Sequence, residues 1–566
     1  MKRVKKRKEQ NSRRALLSVY YKEGIVDFAK ALARLGFEIV SSGGTSKALQ
    51  SGKVPCLSVE DVTRSAPMLG GRVKTLHPKI FGAILAMLTK EHEAQLKARG
   101  IKRIKLVCVD LYPVWAALVS TGVTVAEVLE LIDIGGVALL RAAAKNFNNG
   151  VVVICDPADR QRVIDALEAN GEVGYDLRLE LAGKAFALTR YYDSLIERWF
   201  AEQQGRVVET ITMERVRTLR KAESEDRSPS ELFRGTNRPY NDPLAWDKWT
   251  FVSGNPGHVN LCGGDNALAV MCRLAEACRV NFKGRVPHIA IACKHGNPCG
   301  LGVDWQDPSK ALERAMFGDP TAVMGSEVMT NFVITGQEAA VMHVVPKRAW
   351  RQVGRDFWGP DVIYAPAFNE IAESLLTTRK TDRYLVANPA LANPTMPPYE
   401  YSLRQIRGGW LRQKAPTFIL NLDNIQELIG KKRLARDEKV TLLIAWVVAW
   451  EGVSNSATLA KNLMLIGTGL GQQDRRGAFI LALLRAETAG HNPEGSFWGS
   501  DGFVPYARRK EQGDPPEPVE SMIEKGCIGG VLPADGKNWP EVRALLEESG
   551  MFVAAVGAEH RGFNRH

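Results

Sequence analysis

Lys294 and His295 are neighbours at a point where side-chain chemistry and strand pattern coincide. They follow Ile289-Ala290-Ile291-Ala292-Cys293, a uniformly apolar run that predicts a strand buried on both faces. They precede the turn sequence Gly296-Asn297-Pro298-Cys299-Gly300. In open α/β sheets the ligand crevice lies outside the carboxyl ends of the strands, so a cation beside an imidazole there could move protons on a bound substrate. On spacing alone, a strand cap with two solvated polar residues fits equally well.

Two further stretches carry chemistry. Ser41-Ser42-Gly43-Gly44-Thr45 joins an apolar strand to a helix, and free N–H groups at such a helix start can hold a phosphate. The loop Gly70-Gly71-Arg72-Val73-Lys74-Thr75-Leu76-His77-Pro78 packs cations and a hydroxyl between glycines and proline, a composition suited to phosphate or carbonyl oxygens. Taken alone, a turn needing glycine and a solvated loop account for both.

The elements that must position these residues alternate. Strands are predicted at Ala15 to Val19, Phe37 to Val40, Leu106 to Val109 and Val151 to Ile154. Helices are predicted from Gly24 to Leu35, from Thr124, and through Leu139 to Asn146. Such alternation argues an α/β fold, a parallel sheet with helices on both faces.

At 566 residues the chain should form two to four domains. Its formal charge of +12 is concentrated: residues 1–14 carry eight Lys or Arg against one Glu, a net of +7, leaving +5 for the rest. We read residues 1–14 as a basic disordered, solubilising tail rather than a nucleic-acid arm, since no interleaved aromatics follow. Nine scattered cysteines without a CxxC indicate neither a disulfide framework nor a zinc site, which suits a reducing cytoplasm. The longest apolar run, Leu442 to Trp450, is too short to span a bilayer. Residues 203–230 mix charges without apolar periodicity and are taken as a linker between residues 15–202 and 231–566. No internal repeat is visible.

Read together, SxxxKxG in Ser18 to Gly24, SGGT in Ser42 to Thr45, GRVKTLHP in Gly71 to Pro78, LYP in Leu111 to Pro113, and IDIGG followed by RAAAKN resemble the inosinate cyclohydrolase domain of the bifunctional purine-biosynthesis family. The second half continues the resemblance with that family's aminoimidazole carboxamide ribonucleotide (AICAR) formyltransferase. Its segments are PGxxNL (Pro256 to Leu261), KHxxPxG (Lys294 to Gly300), Asp361 to Pro366, Arg404 to Gly409, Ser454 to Lys461, Ile466 to Arg475, Ser500 to Tyr506, and the ending Glu559 to His566.

The resemblance implies a methylglyoxal-synthase-like parallel α/β domain, then tandem cytidine-deaminase-like α/β/α subdomains without zinc. It implies the last two steps of inosinate (IMP) synthesis: formyl transfer from 10-formyltetrahydrofolate to AICAR, then cyclodehydration of the formylated product FAICAR. By resemblance, Lys74 would stabilise the cyclisation oxyanion while Tyr112, Asp133 and Lys145 orient the carboxamide and move protons. Ser18, Lys22, Ser42, Gly43, Gly44, Thr45, Arg72 and Thr75 would hold the ribose phosphate, with Gly135 beside them. In the transfer, His295 would take the amine proton, directly or by way of the carboxamide, Lys294 would stabilise the tetrahedral oxyanion or help protonate the departing folate nitrogen, and Asn455 would orient the carbonyl. Arg234, Asn260, Gly325, Asp361, Arg475, Phe503, Pro505, Arg561 and Phe563 would bind substrate. No metal is implied. The implied partners are AICAR, FAICAR, IMP and a second copy of the chain, a homodimer sharing its transformylase sites, with neither a membrane nor a nucleic acid.

Several positions depart from the family pattern. Asp110 stands where Asn precedes LYP, Tyr20-Tyr21 replaces small or acidic residues, Phe233-Arg234-Gly235 replaces RYG, Met324-Gly325-Ser326-Glu327 replaces FGG or FGD, and Arg508 replaces an acidic residue. Two other readings therefore stay open: a monofunctional cyclohydrolase carrying a degenerate transformylase scaffold, and a transformylase using another formyl donor.

Overall fold

The computed structural model describes residues 13–118, 122–236, 241–342, 359–377, 383–430, 433–511 and 513–563. The chain forms two compact units that divide after Ile211.

The first unit runs β1 (Arg13–Ser18), α1 (Ile25–Arg34), β2 (Phe37–Ser41), α2 (Gly43–Ser51), β3 (Leu57–Ser58), α3 (Pro78–Leu85), β4 (Ile104–Val109), α4 (Ile134–Lys145), β5 (Val152–Ile154) and α5 (Tyr175–Gln203), with short helices between. The strands pair in parallel in the order β3-β2-β1-β4-β5. Residues 15–17 and 106–109 are buried on both faces, which is why these strands read as continuous apolar runs. α1 is amphipathic, burying Ile25, Phe28, Ala29, Ala31 and Leu32 at helical spacing. The chain leaves β1 toward one edge and reaches β4 on the other side, so the loops after β1 and β4 flank a switch point.

Two boundaries differ from the sequence reading. β1 begins at Arg13, inside the span assigned to the tail, because Arg14 is buried and ion-paired with Glu38 at 2.6 Å. Residues 1–12 of that span lie outside the described residues. The span read as a linker contains β6 (Met213–Thr218), paired antiparallel with β7 (Glu231–Gly235). Every residue of β6 is exposed, so no alternation of apolar and polar residues marks it.

The second unit carries β8 (Thr250–Ser253), α6 (His258–Asn281), β9 (His288–Lys294), β10 (Asn297–Asp304), α7 (Pro308–Phe317), β11 (Glu327–Thr330), β12 (Val362–Ala365) and β13 (Tyr384–Ala387). After the separate hairpin β14 (Tyr401–Ile406) and β15 (Gly409–Lys414) come β16 (Glu427–Ile429), α8 (Arg436–Glu451), β17 (Ala457–Lys461), β18 (Met464–Gly469), α9 (Arg475–Thr488), β19 (Phe497–Ser500), β20 (Gly529–Pro533) and β21 (Phe552–Val556). Twelve strands among the described residues form one sheet, ordered β16-β21-β20-β19-β17-β18-β10-β9-β11-β12-β13-β8.

That order is a repeat that inspection of the sequence did not detect, although the family resemblance implied tandem subdomains. In each half a hairpin (β9-β10, β17-β18) pairs antiparallel with the next strand (β11, β19). Two parallel strands and an antiparallel edge strand follow. The halves meet where β10 pairs with β18. α6 and α8 share the core on one face, while α7 and α9 pack on the other.

Close approach of strand to helix backbone fixes α7 and α9 alike. A β-carbon on Gly300 would lie 1.9 Å from the Ala315 carbonyl oxygen, and one on Gly467 would lie 2.2 Å from that of Ala482. Backbone against backbone cannot relax by rotating a side chain. Gly300→Ala and Gly467→Ala should therefore each cost about 3 kcal/mol, read as a lowered denaturant midpoint at unchanged m-value.

Candidate active sites

In the first unit the switch point gathers residues from four loops. Ser18 ends β1, and Ser42 begins α2 in an extended conformation without a capping bond of its own. The buried Thr45 hydroxyl donates to the Val19 carbonyl at 2.9 Å and accepts the Val19 N–H at 3.0 Å, tying the start of α2 to the loop after β1. Two ammonium groups flank that helix start. A β-carbon on Gly44 would lie 3.5 Å from Lys22 Cε, and one on Gly43 would lie 4.0 Å from Lys74 Nζ. Lys22 Nζ donates to the Val19 and Tyr20 carbonyls, the latter at 2.7 Å, and burial lowers its pKa against the opposing pull of Asp110. A helix start without a side-chain cap and with two cations beside it has the charge and donors suited to an anion.

The Lys74 loop reaches the second part of the pocket through Thr75, whose hydroxyl would lie 3.0 Å from a β-carbon on Gly135. Asp133 caps α4, accepting the Gly136 N–H at 2.6 Å. Burial raises its pKa, and hydrogen bonds from the Gly136 and Tyr112 backbone oppose the rise. The Tyr112 ring sits edge-on to Tyr20 at 5.5 Å, and burial, then Asp133, push its phenol up. Asp133 and Lys145 both line a largely apolar cavity of about 730 Å³ that also includes Arg141 and Phe186. Arg72 is turned away into an ion pair with Glu130.

The departures acquire roles here. The Asp110 carboxylate accepts the N–H groups of Tyr20 and Tyr21, the latter at 3.3 Å, so it organises the loop after β1. Burial raises its pKa. Tyr192, which the sequence reading passed over, accepts the Asp133 N–H at 2.7 Å and donates to the Leu131 carbonyl. It lies on the buried stripe of α5, where its pattern reads as core.

In the second unit, Lys294 is the last residue of β9, and His295 and Gly296 form the turn into β10 with φ of 49° and 76°. Both turn residues are left-handed, as a two-residue hairpin requires. His295 is exposed and Lys294 half-buried. Lys294 Nζ donates to the Met324 carbonyl, and a β-carbon on Gly325 would lie 3.7 Å from that ammonium and 3.6 Å from the Asp361 carboxylate. Asn260 stands nearby on α6, its Nδ2 donating to Glu327 at 3.1 Å. The fold thus collects Lys294, His295, Gly325, Asp361 and Asn260.

A second cluster lies at the start of β17. Asn455 Nδ2 donates to the Gln472 carbonyl at 3.0 Å. Arg475 is 7% exposed and donates to the Ser456 carbonyl, the Ser500 hydroxyl and Asp501, so it braces the turn after β19. A β-carbon on Gly502 would meet both Arg475 and the Phe563 ring. Arg561 pairs with Asp535 and lies 5.5 Å from the Phe503 ring centroid and 5.6 Å from that of Phe563. The Pro505 carbonyl accepts from Asn538 at 2.7 Å.

Arg234, on β7, pairs with Glu214 at 2.6 Å. It joins Phe563, Arg404 and Arg412 around a cavity of about 1060 Å³. Arg508 pairs with Glu548 at 2.6 Å, which puts a carboxylate beside the position where the family pattern has one. Among the described residues no group of three or more His, Cys, Asp or Glu could hold a metal ion, and no helix is long and apolar enough to cross a membrane.

Residues 24–138 match the family profile described as the MGS-like domain, and residues 143–485 match that of the AICARFT/IMPCHase bienzyme. The bifunctional purine biosynthesis protein PurH of Anoxybacillus flavithermus is 33% identical over 553 residues, spanning 97% of this chain and 99% of the relative. The protein of the same name from Bacillus cytotoxicus is 31% identical over the same shares. A crystal structure of ForH aligns with 33% of this chain and 96% of its own, at 35% identity and a TM-score of 0.31.

The helix start between Lys22 and Lys74 generates a direct test. Lys22→Ala and Lys74→Ala should each weaken binding of a nucleoside monophosphate to the first unit by about tenfold or more, as loss of a charge-assisted contact requires. Titration calorimetry measures it, and Arg72→Ala should have the smaller effect because that guanidinium is already paired.

Proposed function

Because this chain belongs to the AICARFT/IMPCHase bienzyme family, we propose that its two activities are divided between its units, ring closure in the first and formyl transfer in the second. The chain is a bifunctional enzyme of purine biosynthesis, an AICAR transformylase and IMP cyclohydrolase. The observation that carries the division is the lysine pocket in each unit: Lys74 beside the start of α2, and Lys294 at the end of β9.

For ring closure, the phosphate of FAICAR would sit on the α2 start beside Lys22, with Thr45 fixing that loop and Lys74 on the other flank toward the base. The carboxamide nitrogen attacks the neighbouring formyl carbon, and the carbonyl oxygen becomes an alkoxide. Lys74 neutralises that oxygen and a proton completes the hydroxyl. The attacking nitrogen gives up one proton, and the former formamide nitrogen gives up another as the hydroxyl takes a proton and departs as water, which closes the C=N bond. Holding both groups on one ring supplies much of the rate. The Asp133 carboxyl, whose pKa burial raises, and the Tyr112 phenol stand beside the pocket and would exchange these protons.

For formyl transfer, the 5-amino nitrogen of AICAR attacks the formyl carbon of 10-formyltetrahydrofolate. His295 takes the amine proton, and Lys294 faces the transient oxygen anion. The bond from the formyl carbon to N10 then breaks, and N10 receives a proton. Asp361 and Asn260 would hold the nucleotide. Glu548 supports retention of a folate donor, since a pterin's N–H groups need an acceptor where Arg508 offers only donors.

Asn455 and Lys294 lie at the same edge of the sheet, but β10 and β18 intervene, and three strand spacings of about 4.8 Å separate their strands. That gap supports transfer sites completed by the second copy of a homodimer. Leu403, Ile406, Trp410 and Leu411 stand exposed on the β14-β15 hairpin, a surface suited to a copy of the chain.

Two outcomes are expected. Lys74→Ala should lower FAICAR cyclisation by about a thousandfold and leave AICAR formylation intact, while Lys294→Ala should do the reverse. Separate assays with FAICAR, and with AICAR plus 10-formyltetrahydrofolate, read this, and one variant abolishing both would refute the division. Trp410→Asp should shift the sedimentation coefficient to that of a monomer and depress formylation more than cyclisation.

A further inference from the structure

Glu327 opens β11 opposite Cys293, the residue before Lys294. Its side chain is 3% exposed. Oε1 accepts from Asn260 Nδ2, whereas Oε2 has no hydrogen-bond partner and lies 2.4 Å from where a β-carbon on Gly263 would be. Asn260 is held from its other end as well, Oδ1 accepting the Gly257 N–H at 3.0 Å. The two contacts decide which way the amide faces: oxygen to the backbone, nitrogen to Glu327, with one N–H left to give. An aliphatic side chain would satisfy the strand, as Val328 and Met329 do in the next two buried positions. A buried carboxyl there is costly unless it is used.

We propose that Glu327 is a positioning residue for formyl transfer, aligning the Asn260 amide on the nucleotide and adding a buried acid to the pocket of Lys294 and Asp361. This rests on the placement of transfer at Lys294 and His295. Burial pushes the Glu327 carboxyl up to about 7, Asp361 adds to the rise, and Asn260 and Lys294 oppose it. The other titratable groups in its field are Cys262 on α6, Cys299 on β10 and Tyr364 on β12, all held above their ordinary values by burial. Glu327 therefore changes charge near neutrality while those three stay neutral. Ionised, it is the stronger acceptor for Asn260 and places a negative charge in the field of Lys294. Protonated, it loses both effects, so nucleotide capture weakens as pH falls through about 7.

The test compares the full-length protein with Glu327→Gln and Glu327→Leu, with the circular dichroism spectrum and a cooperative unfolding transition showing that the second unit of each is folded. The wild-type KM for AICAR in formyl transfer should rise by about threefold or more between pH 8 and pH 6 relative to Glu327→Gln, which has no carboxyl to titrate. Glu327→Leu should raise that KM about tenfold at pH 8 with kcat within about threefold, the split expected when a ground-state contact is lost. Since folding favours the protonated acid, Glu327→Gln should also gain Tm over the wild type as pH rises from about 5 to 8. Superimposable KM and Tm profiles for wild type and Glu327→Gln, or an unchanged KM in Glu327→Leu, overturn the proposal. A wild type that cyclises FAICAR but does not formylate AICAR overturns the placement at Lys294 and the proposal with it.

Discussion

The second unit turns on a tether made twice. Lys294, ending β9, donates to the Met324 carbonyl in the loop before β11, and Lys461, ending β17, donates to the Asn492 and Glu494 carbonyls in the loop before β19. A strand buried on both faces offers no place for a charge except its end. An ammonium there can cover the carbonyls of a loop that must approach the sheet without pairing. The same register supports a second shared contact. Asn331 and Asp501, each just after its strand, accept the N–H of Ile289 and of Ser456. The two lysines lie 167 residues apart, as do Gly300 and Gly467, and Gly302 and Gly469.

The repeat was nevertheless illegible in the sequence. What the fold demands at matched positions is little: a glycine where strand meets helix backbone, a lysine at the strand end, small residues such as Ala311 and Ala315, or Ala478 and Ala482, on the facing helix. Elsewhere matched positions differ even in polarity, as Ile291 and Thr458 do in the same register. By contrast, the first unit's strands other than the two-residue β3, and the glycine-hydroxyl turn at Ser42 to Thr45, were readable, because continuous burial and a helix start each leave a local pattern. β6 was not, because a two-stranded ribbon exposed along one whole strand needs no apolar alternation.

The candidate sites were legible as residues and less so as environments. The lysines and Asp133 could be named from their motifs, but not the partners that tune them. Tyr192 lies 59 residues from Asp133, and Glu548 lies 40 from Arg508. Arg475 looked like a ligand and is buried against Asp501. Arg72 looked like a phosphate fork and is paired with Glu130. Pairings across such separations depend on how strands are ordered, which no local spacing encodes.

Because the lysine tether occurs in both halves, it cannot by itself mark the reactive end of the sheet. The difference lies in what surrounds it. After Lys461 the turn is Asn462 and Leu463, also left-handed, but Leu463 is buried and its backbone is taken by Thr441 and Val303. After Lys294 the turn is an exposed imidazole and a glycine, with Asp361, Glu327 and the Asn260 amide beside it. One scaffold therefore holds a lysine the same way at both edges. Only at Lys294 does the turn stay open to solvent with acids gathered around the ammonium, which is the arrangement that the proposed formyl transfer needs.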